Sequence, residues 1–572
     1  MRTINAMRTI NTMRTINAMR TINAMSAIGV GLKRARHLLA VAAQAALLGA
    51  CGGGGAGAPA SVELPEVDTT PVAKADPGSA LPASWRDGVF MEIFVRAYQD
   101  SDGDGIGDLK GLTSRLDYLQ SLGVSGLWLM PIHPSQDGDH GYAVKDYRAV
   151  APEYGSEQDL KELLEQAHRR GIGVIIDYVL NHSAAEHPAF VQSRSGSGNA
   201  YRDWYVWSAR APSGWNIYGS SPWHAAASGH YFGGFWSQMP DFNLKQPQVL
   251  AWHHDNLRHW LNLGVDGFRF DAVGNLVENG PQAWENQAEN HVILKSIQDL
   301  VASYQQRFII CEAPALPLRY AQPDSCASAF AFGYQYALAG AAQGQADAIA
   351  KLAQYWLDAP EGLAGFASNH DSFAGQRLAD QLDGDPQRLK LAAATYLLQS
   401  RRPFIYYGEE IGLRGAAQLS GDPKLRTPMS WNPDRLNAGF SSGTPFRSLA
   451  ANAASTNVAQ QEADPSSLLH FYRSVIALRR SLPALQSGRY LYPSASGSTL
   501  SFQRELDGQR VAVLFNYGSN ASQVELSGLP AQAVFEQHWP TSASFVSTDG
   551  GKLSLRLPAQ SFVVLASATG PT

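Results

Sequence analysis

Short apolar runs alternate with amphipathic segments from about residue 85 onward. Residues 173–179 (GVIIDYV) begin with consecutive apolar positions, as in a parallel strand that is buried on both faces. Residues 109–123 place leucines at the three- and four-residue spacing of a helix face and end at a glycine. Residues 156–171 begin with Ser156 and Asp159 in capping-box spacing, which predicts a second helix.

The same alternation continues to about residue 412. Helical or irregular segments separate the apolar runs, and repeated strand–helix units on this scale favour a parallel sheet closed into a barrel. The sequence therefore predicts an α/β fold, a (β/α)8 TIM barrel, whose last helix lies within residues 464–480. The further predicted strands lie in residues 88–98, 125–132, 265–273, 307–313, 363–371 and 403–412.

The pattern changes after about residue 484, where strands of alternating polarity replace the strand–helix units. Asp507 and Gly508 stand between two such segments and predict the turn of a β-hairpin. The C-terminal part of the chain is therefore predicted to be an antiparallel β domain.

Polar side chains follow four of the predicted strands at their carboxyl ends, which share one face in a barrel. Each group alone fits a strand-end hydrogen-bond network. Four groups on one face are harder to explain structurally, because buried charge is costly unless it is paired or used. Acids, an arginine and histidines that converge there describe a glycosidase with a nucleophile, an acid/base and sugar-binding groups. The groups are Asp177, Asn181 and His182; Arg269 and Asp271; Glu312; and Asn369, His370 and Asp371.

Residues 100–108 (DSDGDGIGD) form a second motif. Asp100, Asp102, Asp104 and Asp108, with glycines between them, can place hard oxygen ligands around one centre, which suits Ca²⁺. The motif is not a complete EF-hand, because Gly111 stands at the twelfth position, where that loop has glutamate. The alternative is a solvated acidic turn.

Composition narrows the classes of function. The 572 residues are 45% hydrophobic and 17% charged, with a net charge of −5 and a pI of about 6.3. A large core is possible, and neither nucleic acid nor an anionic membrane surface is expected as a partner. Beyond Cys51, the cysteines are Cys311 and Cys326, which allow one disulfide in an oxidising compartment and exclude a zinc ribbon. The oligomeric state is left open.

The N-terminal segment has features of export. Residues 1–24 are four near-copies of one hexapeptide. They are either an N-terminal tail or the result of a translation start assigned too early, with the true start at Met25. Residues 25–51 then show a basic region, an apolar run and Cys51, the layout of a signal peptide. LLGAC followed by GGGG resembles a bacterial lipoprotein signal in which Cys51 is lipidated; the alternative is cleavage near Ala50 and free secretion. Residues 52–84 predict a flexible tether, so we expect an exported, lipid-anchored protein at the cell surface or in the periplasm.

Four motifs follow one another along the chain: D-x-x-x-N-H, G-F-R-x-D-A, an isolated glutamate after an apolar strand, and N-H-D. In this order they resemble the α-amylase family of glycoside hydrolases, glycoside hydrolase family 13. The resemblance covers roughly residues 85–570 and includes α-amylase-like bacterial lipoproteins. It implies a barrel of residues 85–182 and 246–483, an inserted domain after strand 3 at residues 183–245, and a C-terminal β-sandwich domain at residues 484–572.

The motifs that carry this resemblance also imply roles for single residues. By motif, Asp271 matches the nucleophile, Glu312 the general acid/base, and Asp371 the third acid, which binds the sugar. Arg269 is expected to keep Asp271 ionised, because a nearby cation lowers the pKa of a carboxylate.

The resemblance implies sugar contacts and a metal ligand as well. His182 and His370 match histidines that hold sugar hydroxyls, Tyr142 matches the stacking aromatic, and Asp139 is expected at the same sugar. Residues 100–108 resemble the calcium loop after strand 1 in many members, where the carbonyl of Ile106 would add a ligand to a structural Ca²⁺.

Substrate preference rests on finer details of the motifs. Ala272 after the nucleophile resembles members that act on α-1,4 bonds, whereas Gly274 and Asn275 replace the Lys-His of many starch-cutting enzymes. Residues 426–431 (RTPMSW) resemble α-glucosidases. The expected function is hydrolysis of α-1,4 bonds in malto-oligosaccharides and starch. An exo-acting α-glucosidase or a transglycosylating maltosyl enzyme is the alternative, and a non-catalytic sugar-binding lipoprotein is the remote one.

Overall fold

The computed structural model describes residues 63–541 and 545–567. Eight parallel strands form a closed barrel in the order β1-β11-β10-β9-β8-β7-β3-β2, which confirms the predicted TIM barrel. The barrel strands are β1 (Phe90–Ile93), β2 (Gly126–Leu129), β3 (Gly173–Tyr178), β7 (Gly267–Phe270), β8 (Phe308–Cys311), β9 (Ala329–Phe330), β10 (Leu363–Phe366) and β11 (Arg402–Tyr406).

Helices surround the barrel and cover its outer face. The α-helices are α1 (Leu109–Ser114), α2 (Leu116–Leu122), α3 (Glu157–Arg169), α4 (Pro188–Ser195), α5 (Pro247–Leu263), α6 (Ala288–Ala302), α7 (Pro317–Tyr320), α8 (Tyr334–Ala342), α9 (Ala346–Tyr355), α10 (Leu378–Gln381), α11 (Pro386–Gln399), α12 (Asp422–Leu425), α13 (Val458–Glu462), α14 (Leu468–Ser481) and α15 (Pro483–Ser487). Short 3-10 helices cover Ala83–Asp87, Val95–Ala97, Pro152–Tyr154, Arg202–Trp204, Val273–Asn275, Ser372–Ala374 and Glu409–Ile411.

Local sequence signals explain most of these elements. The capping box predicted at Ser156 and Asp159 is present at the start of α3. The helix predicted for residues 109–123 is broken at Arg115 into α1 and α2, and α2 ends at Gly123, whose φ of 92° favours glycine. The sequence analysis did not predict β9, because two residues are too few to show a periodicity.

Apolar side chains that point inward fill the barrel below its polar end. Trp85 closes the amino-terminal end by packing on Phe90 and Phe308, and all three belong to one buried cluster. Successive side chains of a strand point to opposite faces, so the residue two positions further along faces inward again. The polar end is built in this way directly above the apolar layer: Glu92 follows Phe90, Asp177 follows Ile175, and Glu312 follows Ile310.

Two further groups of strands flank the barrel. Between β3 and β7 the chain forms an antiparallel sheet of order β4-β6-β5, made of β4 (Trp207–Ser208), β5 (Trp223–Ala226) and β6 (Gly229–Phe232). The C-terminal strands form a six-stranded sheet of order β12-β13-β14-β19-β16-β17 and a two-stranded sheet, β15-β18. These strands are β12 (Arg489–Ser496), β13 (Thr499–Leu506), β14 (Gln509–Asn516), β15 (Ser522–Leu526), β16 (Val534–Trp539), β17 (Phe545–Ser547), β18 (Leu553–Leu557) and β19 (Ser561–Ser567).

The C-terminal sheets pack on each other through buried apolar side chains, including Leu514, Val524 and Leu565. Asp507 and Gly508 form the predicted hairpin turn between β13 and β14, with φ values of 47° and 81°. The fold matches the predicted barrel followed by an antiparallel β-sandwich domain.

The segment that precedes the barrel differs from the prediction. Residues 63–82 lack regular secondary structure but lie along α5: Val72 N donates to Asp255 Oδ1 at 3.0 Å, and Trp252 Nε1 donates to the carbonyl of Asp68 at 2.8 Å. The prediction of a flexible tether over residues 52–84 therefore extends too far toward the carboxyl end. Composition indicated flexibility there, but hydrogen bonds to distant residues attach this segment to the barrel.

The expected repeat, signal peptide and lipidation site at Cys51 lie outside the described residues. Within residues 63–541 and 545–567, no helix combines the length and the apolarity needed to cross a bilayer.

Candidate active site

Arg269 lies at the centre of the polar cluster at the carboxyl ends of the barrel strands. Its side chain is 1% exposed, and Nη1 donates to Asp177 Oδ2 and to Asp271 Oδ1, each at 2.8 Å. Nη2 donates to Glu312 Oε2 at 2.7 Å. Strand register brings these groups together, since Asp177 on β3 pairs directly with Arg269 on β7. One buried cation therefore contacts three carboxylates.

Burial favours the protonated form of both Asp271 and Glu312. Burial raises the pKa of Asp271 to about 6 and that of Glu312 to about 7. The sequence analysis expected Arg269 to keep Asp271 ionised; the guanidinium does lower the pKa of Asp271, but burial is the larger cause. Both carboxyl groups thus titrate near neutral pH, where an acid and a nucleophile require one protonated and one ionised group.

The spacing of these two groups also carries chemical information. The same guanidinium contacts both Asp271 and Glu312, and the backbone N–H of Ala272 donates to Glu312 Oε2 at 3.1 Å. Inverting glycosidases place their carboxyl groups about 6.5–9.5 Å apart to hold a water between them, whereas retaining enzymes keep them closer. The contact through one side chain fits the closer, retaining arrangement.

Asp371 comes from the end of β10 and contacts a second buried arginine. Arg426 Nη2 donates to Asp371 Oδ1 at 2.9 Å, and Arg426 Nε donates to the carbonyl of His370 at 3.0 Å. Burial raises the pKa of Asp371 to about 8; the neighbouring Asp422 raises it further, and Arg426 opposes both effects. Arg426 therefore holds both the backbone and the carboxyl group at the third acid.

A chain of hydrogen bonds connects Glu92 to the arginine cluster. Glu92 Oε1 lies 2.5 Å from His370 Nδ1, His370 Nε2 lies 2.7 Å from Tyr142 Oη, and Tyr142 Oη donates to Asp177 Oδ2 at 2.9 Å. Because the tyrosine proton goes to Asp177, which only accepts, His370 Nε2 must supply the proton of its own bond to Tyr142. Burial lowers the pKa of His370 and keeps the ring neutral, so Nδ1 accepts. Glu92 is then the protonated donor, in agreement with its pKa, which burial raises.

His182 lies on another side of the site. It is buried, its Nε2 has no partner within the described residues, and its ring packs 5.5 Å from that of Phe235. Burial lowers the pKa of His182 to about 3, so the ring is neutral and can donate to or accept from a hydroxyl. Asn181 donates to Asp241 Oδ2 at 3.0 Å and ties the inserted segment to the end of β3.

The predicted site residue Asp139 has a partner in the chain itself. Its Oδ1 accepts from Arg447 Nη2 at 2.6 Å, and the pair is partly exposed. Asp139 therefore lies in the loop that also carries Tyr142, with one carboxylate oxygen engaged by Arg447.

The sequence analysis did not single out Glu92, Trp128 or Arg426 as site residues. Trp128 Nε1 donates to Asp177 Oδ2 at 3.2 Å, and its ring centroid lies 5.0 Å from the Arg269 guanidinium. The available signal for Glu92 was a single carboxylate within a fully apolar strand. Such a residue requires a buried partner.

The acidic loop follows β1 in the chain. Carboxylate oxygens of Asp100, Asp102 and Asp108 lie within 4.8 Å of one another, which fits one hard cation. This group does not include Asp104, whose Oδ1 accepts from the backbone N–H of Ile106 at 2.7 Å. Three of the five predicted calcium ligands are thus brought together as a carboxylate cluster.

A disulfide lies directly beside the acid/base candidate. Cys311, the last residue of β8, is bonded to Cys326, and their Cα atoms are 6.3 Å apart. The bond closes the segment that begins with Glu312.

Comparison with known proteins agrees with this site. Residues 92–488 match the family model described as alpha amylase, catalytic domain. The chain is 32% identical to the trehalose synthase/amylase TreS of Mycobacterium tuberculosis over 78% of this chain and 85% of the relative. It is 33% identical to a probable alpha-glucosidase of Rhizobium meliloti over 77% of this chain and 91% of the relative. The crystal structure of an alpha-amylase from H. orenii superposes with a TM-score of 0.73 at 31% identity, covering 84% of this chain and all of that one.

Proposed function

This chain belongs to the α-amylase family of glycoside hydrolases, and on that premise we propose that it hydrolyses α-1,4-glucosidic bonds in malto-oligosaccharides and starch with retention of configuration. The observation that carries the proposal is the single buried guanidinium of Arg269 in contact with both Asp271 and Glu312. It supports two carboxyl groups that are close enough for a covalent glycosyl-enzyme and whose pKa values burial raises toward neutral pH.

The mechanism follows from these two groups. Glu312 protonates the glycosidic oxygen while Asp271 attacks the anomeric carbon, and the glycosyl-enzyme forms as the leaving sugar departs. Glu312, now ionised, takes a proton from water, which releases the sugar in its original α configuration. Arg269 holds both carboxylates in place, and Asp371 binds the hydroxyls of the sugar as its ring flattens toward the transition state.

Neutral polar groups around this centre support binding of an uncharged sugar. Tyr142 and His370 form a wall with rings 15° from parallel, and the buried Nε2 of His182 has no partner among the described residues. The inserted segment adds exposed aromatic surface, since Phe235 and Trp236 are 41% and 45% exposed next to His182. Aromatic faces beyond the reacting sugar favour an oligosaccharide over a single glucoside.

An exo-acting α-glucosidase or a transglycosylating maltosyl enzyme is the second candidate. Gly274 and Asn275 stand where many starch-cutting members have Lys-His, and close similarity extends to relatives named trehalose synthase and alpha-glucosidase. Both candidates share the same three acids, so the length of the products distinguishes them.

We assign two accessory features to the same proposal. A structural Ca²⁺ would be held by Asp100, Asp102 and Asp108, away from the reacting atoms. Export with a lipid anchor at Cys51 would place the barrel outside the cytoplasm, where polymeric glucan is available.

The proposal is tested by the products formed from maltoheptaose. Endo-acting hydrolysis yields a mixture of maltose, maltotriose and longer products with the α configuration at early times. Glucose as the sole early product would support the exo-glucosidase, and products longer than the substrate would support transglycosylation. The variant Asp271→Asn is the inactive control. If its turnover equalled that of the wild type, the assignment of Asp271 as the nucleophile would be wrong.

A further inference from the structure

A groove separates the barrel from the C-terminal β domain, away from the acids of the active site. Its volume is about 470 Å³, and it is lined by the first turns of α11 and α14 and by strands of the C-terminal domain. Three aromatic side chains form its floor: Phe471 of α14, Trp539 of β16 and Phe562 of β19.

Trp539 lines the groove and pairs with both of the other rings. Trp539 and Phe562 are stacked, with centroids 5.2 Å apart and planes 12° from parallel. Phe471 is nearly perpendicular to both rings and lies 5.6 Å from Trp539 and 6.2 Å from Phe562. A ring almost equally distant from two stacked rings lies beside the stack, so it does not cover the second face of Trp539. Within the described side chains, no further ring packs on this indole, which is partly exposed.

The rim of the groove is polar and contains no carboxylate. The side-chain amides of Gln387 and Gln560 line it and donate to no group within the described residues, and Arg556 is exposed at its edge. Lys390 is already engaged, since its Nζ donates to the carbonyl of Ser466 at 2.8 Å. A flat aromatic floor with free amide and guanidinium donors suits a neutral ligand that has an apolar face and many hydroxyls.

The position of the groove relates it to the active site. In a strand–helix barrel, each helix starts at the end where its preceding strand finishes. Gln387 and Phe471 are in the first turns of α11 and α14, so the groove opens near the end of the barrel that carries Asp271 and Glu312.

We propose that this groove is a second carbohydrate site, in which an α-glucan chain stacks on Trp539 while the cleft cuts another part of the same polymer. This inference rests on the proposed action on α-glucans. It adds a non-catalytic contact that should matter for granular starch and be irrelevant for a short oligosaccharide, which cannot occupy both places.

The test compares sedimentation with granular starch and turnover of maltotriose for four proteins. Trp539→Ala should reduce the starch-bound fraction at least about tenfold, because in a small interface a single aromatic side chain supplies most of the binding free energy. Its kcat/KM for maltotriose should stay within about twofold of the wild type. The double variant Gln387→Ala/Arg556→Ala removes the rim without touching the core and should weaken adsorption in the same direction. Tyr492→Ala, which removes another exposed aromatic from the C-terminal domain, should adsorb like the wild type.

Each outcome decides the proposal. Equal adsorption of the wild type, Trp539→Ala and the double variant would overturn the second site, as would a wild type that does not sediment with starch. If Trp539→Ala alone lost adsorption together with a cooperative melting transition, the double variant would decide instead. Adsorption that depends on Trp539, in a protein inactive on both maltoheptaose and starch, would support the second site and refute the α-1,4 activity.

Discussion

Glu92 Oε1 lies 2.5 Å from His370 Nδ1, although the two residues are 278 positions apart in the chain. Both side chains are at most 2% exposed, so water cannot replace either partner. The hydrogen-bond order assigns the shared proton to Glu92 and leaves His370 Nε2 as the donor toward Tyr142. Glu92 thus positions His370 without touching the substrate.

We expect Glu92→Leu to lower kcat/KM for maltotriose by about tenfold or more, equivalent to about 1.4 kcal/mol of transition-state stabilisation. The reason is that His370 Nδ1 would lose its donor, and the ring would be free to change tautomer or rotate. Glu92→Gln should remain within about threefold of the wild type, because its amide N–H can replace the carboxyl O–H. If both variants matched the wild type, or if both failed equally with unchanged melting temperatures, the assignment of the proton to Glu92 would be wrong.

The pH dependence of activity should report the paired acids. The proposed mechanism needs Asp271 ionised and Glu312 protonated, and burial raises their pKa values to about 6 and about 7. We therefore expect kcat/KM to fall below about pH 6, where Asp271 takes up a proton, and above about pH 7, where Glu312 loses one. A profile measured from about pH 4 to pH 9 that stayed flat, or an acid limb near the ordinary value of about 4, would contradict this account.

Calcium at the acidic loop can be tested by thermal unfolding. Since a ligand that binds only the folded state stabilises it, removal of Ca²⁺ with a chelator should lower the melting temperature, with up to about 2.7 kcal/mol lost if the ion is at 100 times its Kd. Asp102→Asn should unfold earlier and no longer respond to the chelator. Asp104→Asn is the matched control, because Asp104 lies outside the carboxylate cluster, and it should respond like the wild type. An unchanged melting curve with excess chelator and no calcium by elemental analysis would exclude the site.

The lipid anchor is tested by cell fractionation. We expect Cys51→Ala to move the protein from the membrane fraction to the soluble fraction while activity on maltotriose is unchanged, since the barrel begins well after this position. Mass spectrometry of the N-terminal peptide should show the acyl groups in the wild type alone. A wild type that fractionates as soluble and carries no acyl mass would leave ordinary secretion as the alternative.

The sequence by itself determined the barrel and the placement of Asp271, Glu312 and Asp371 after barrel strands. Both rest on local information: apolar runs and helix caps repeat along the chain, and Asp271, Glu312 and Asp371 each follow a strand within a short motif. Period-two alternation also accounts for the direction of Glu312, which faces inward two positions after Ile310.

Only the tertiary structure decided which of these groups form hydrogen bonds and ion pairs with one another. The partnership of Asp177 with Arg269 depends on the register between β3 and β7, and that of Glu92 with His370 depends on closure of the barrel. The extent of burial likewise determines the pKa of Asp271, because desolvation outweighs the cation that the motif places beside it. Register, closure and desolvation arise from contacts between residues far apart in the chain, and a local pattern carries no information about them.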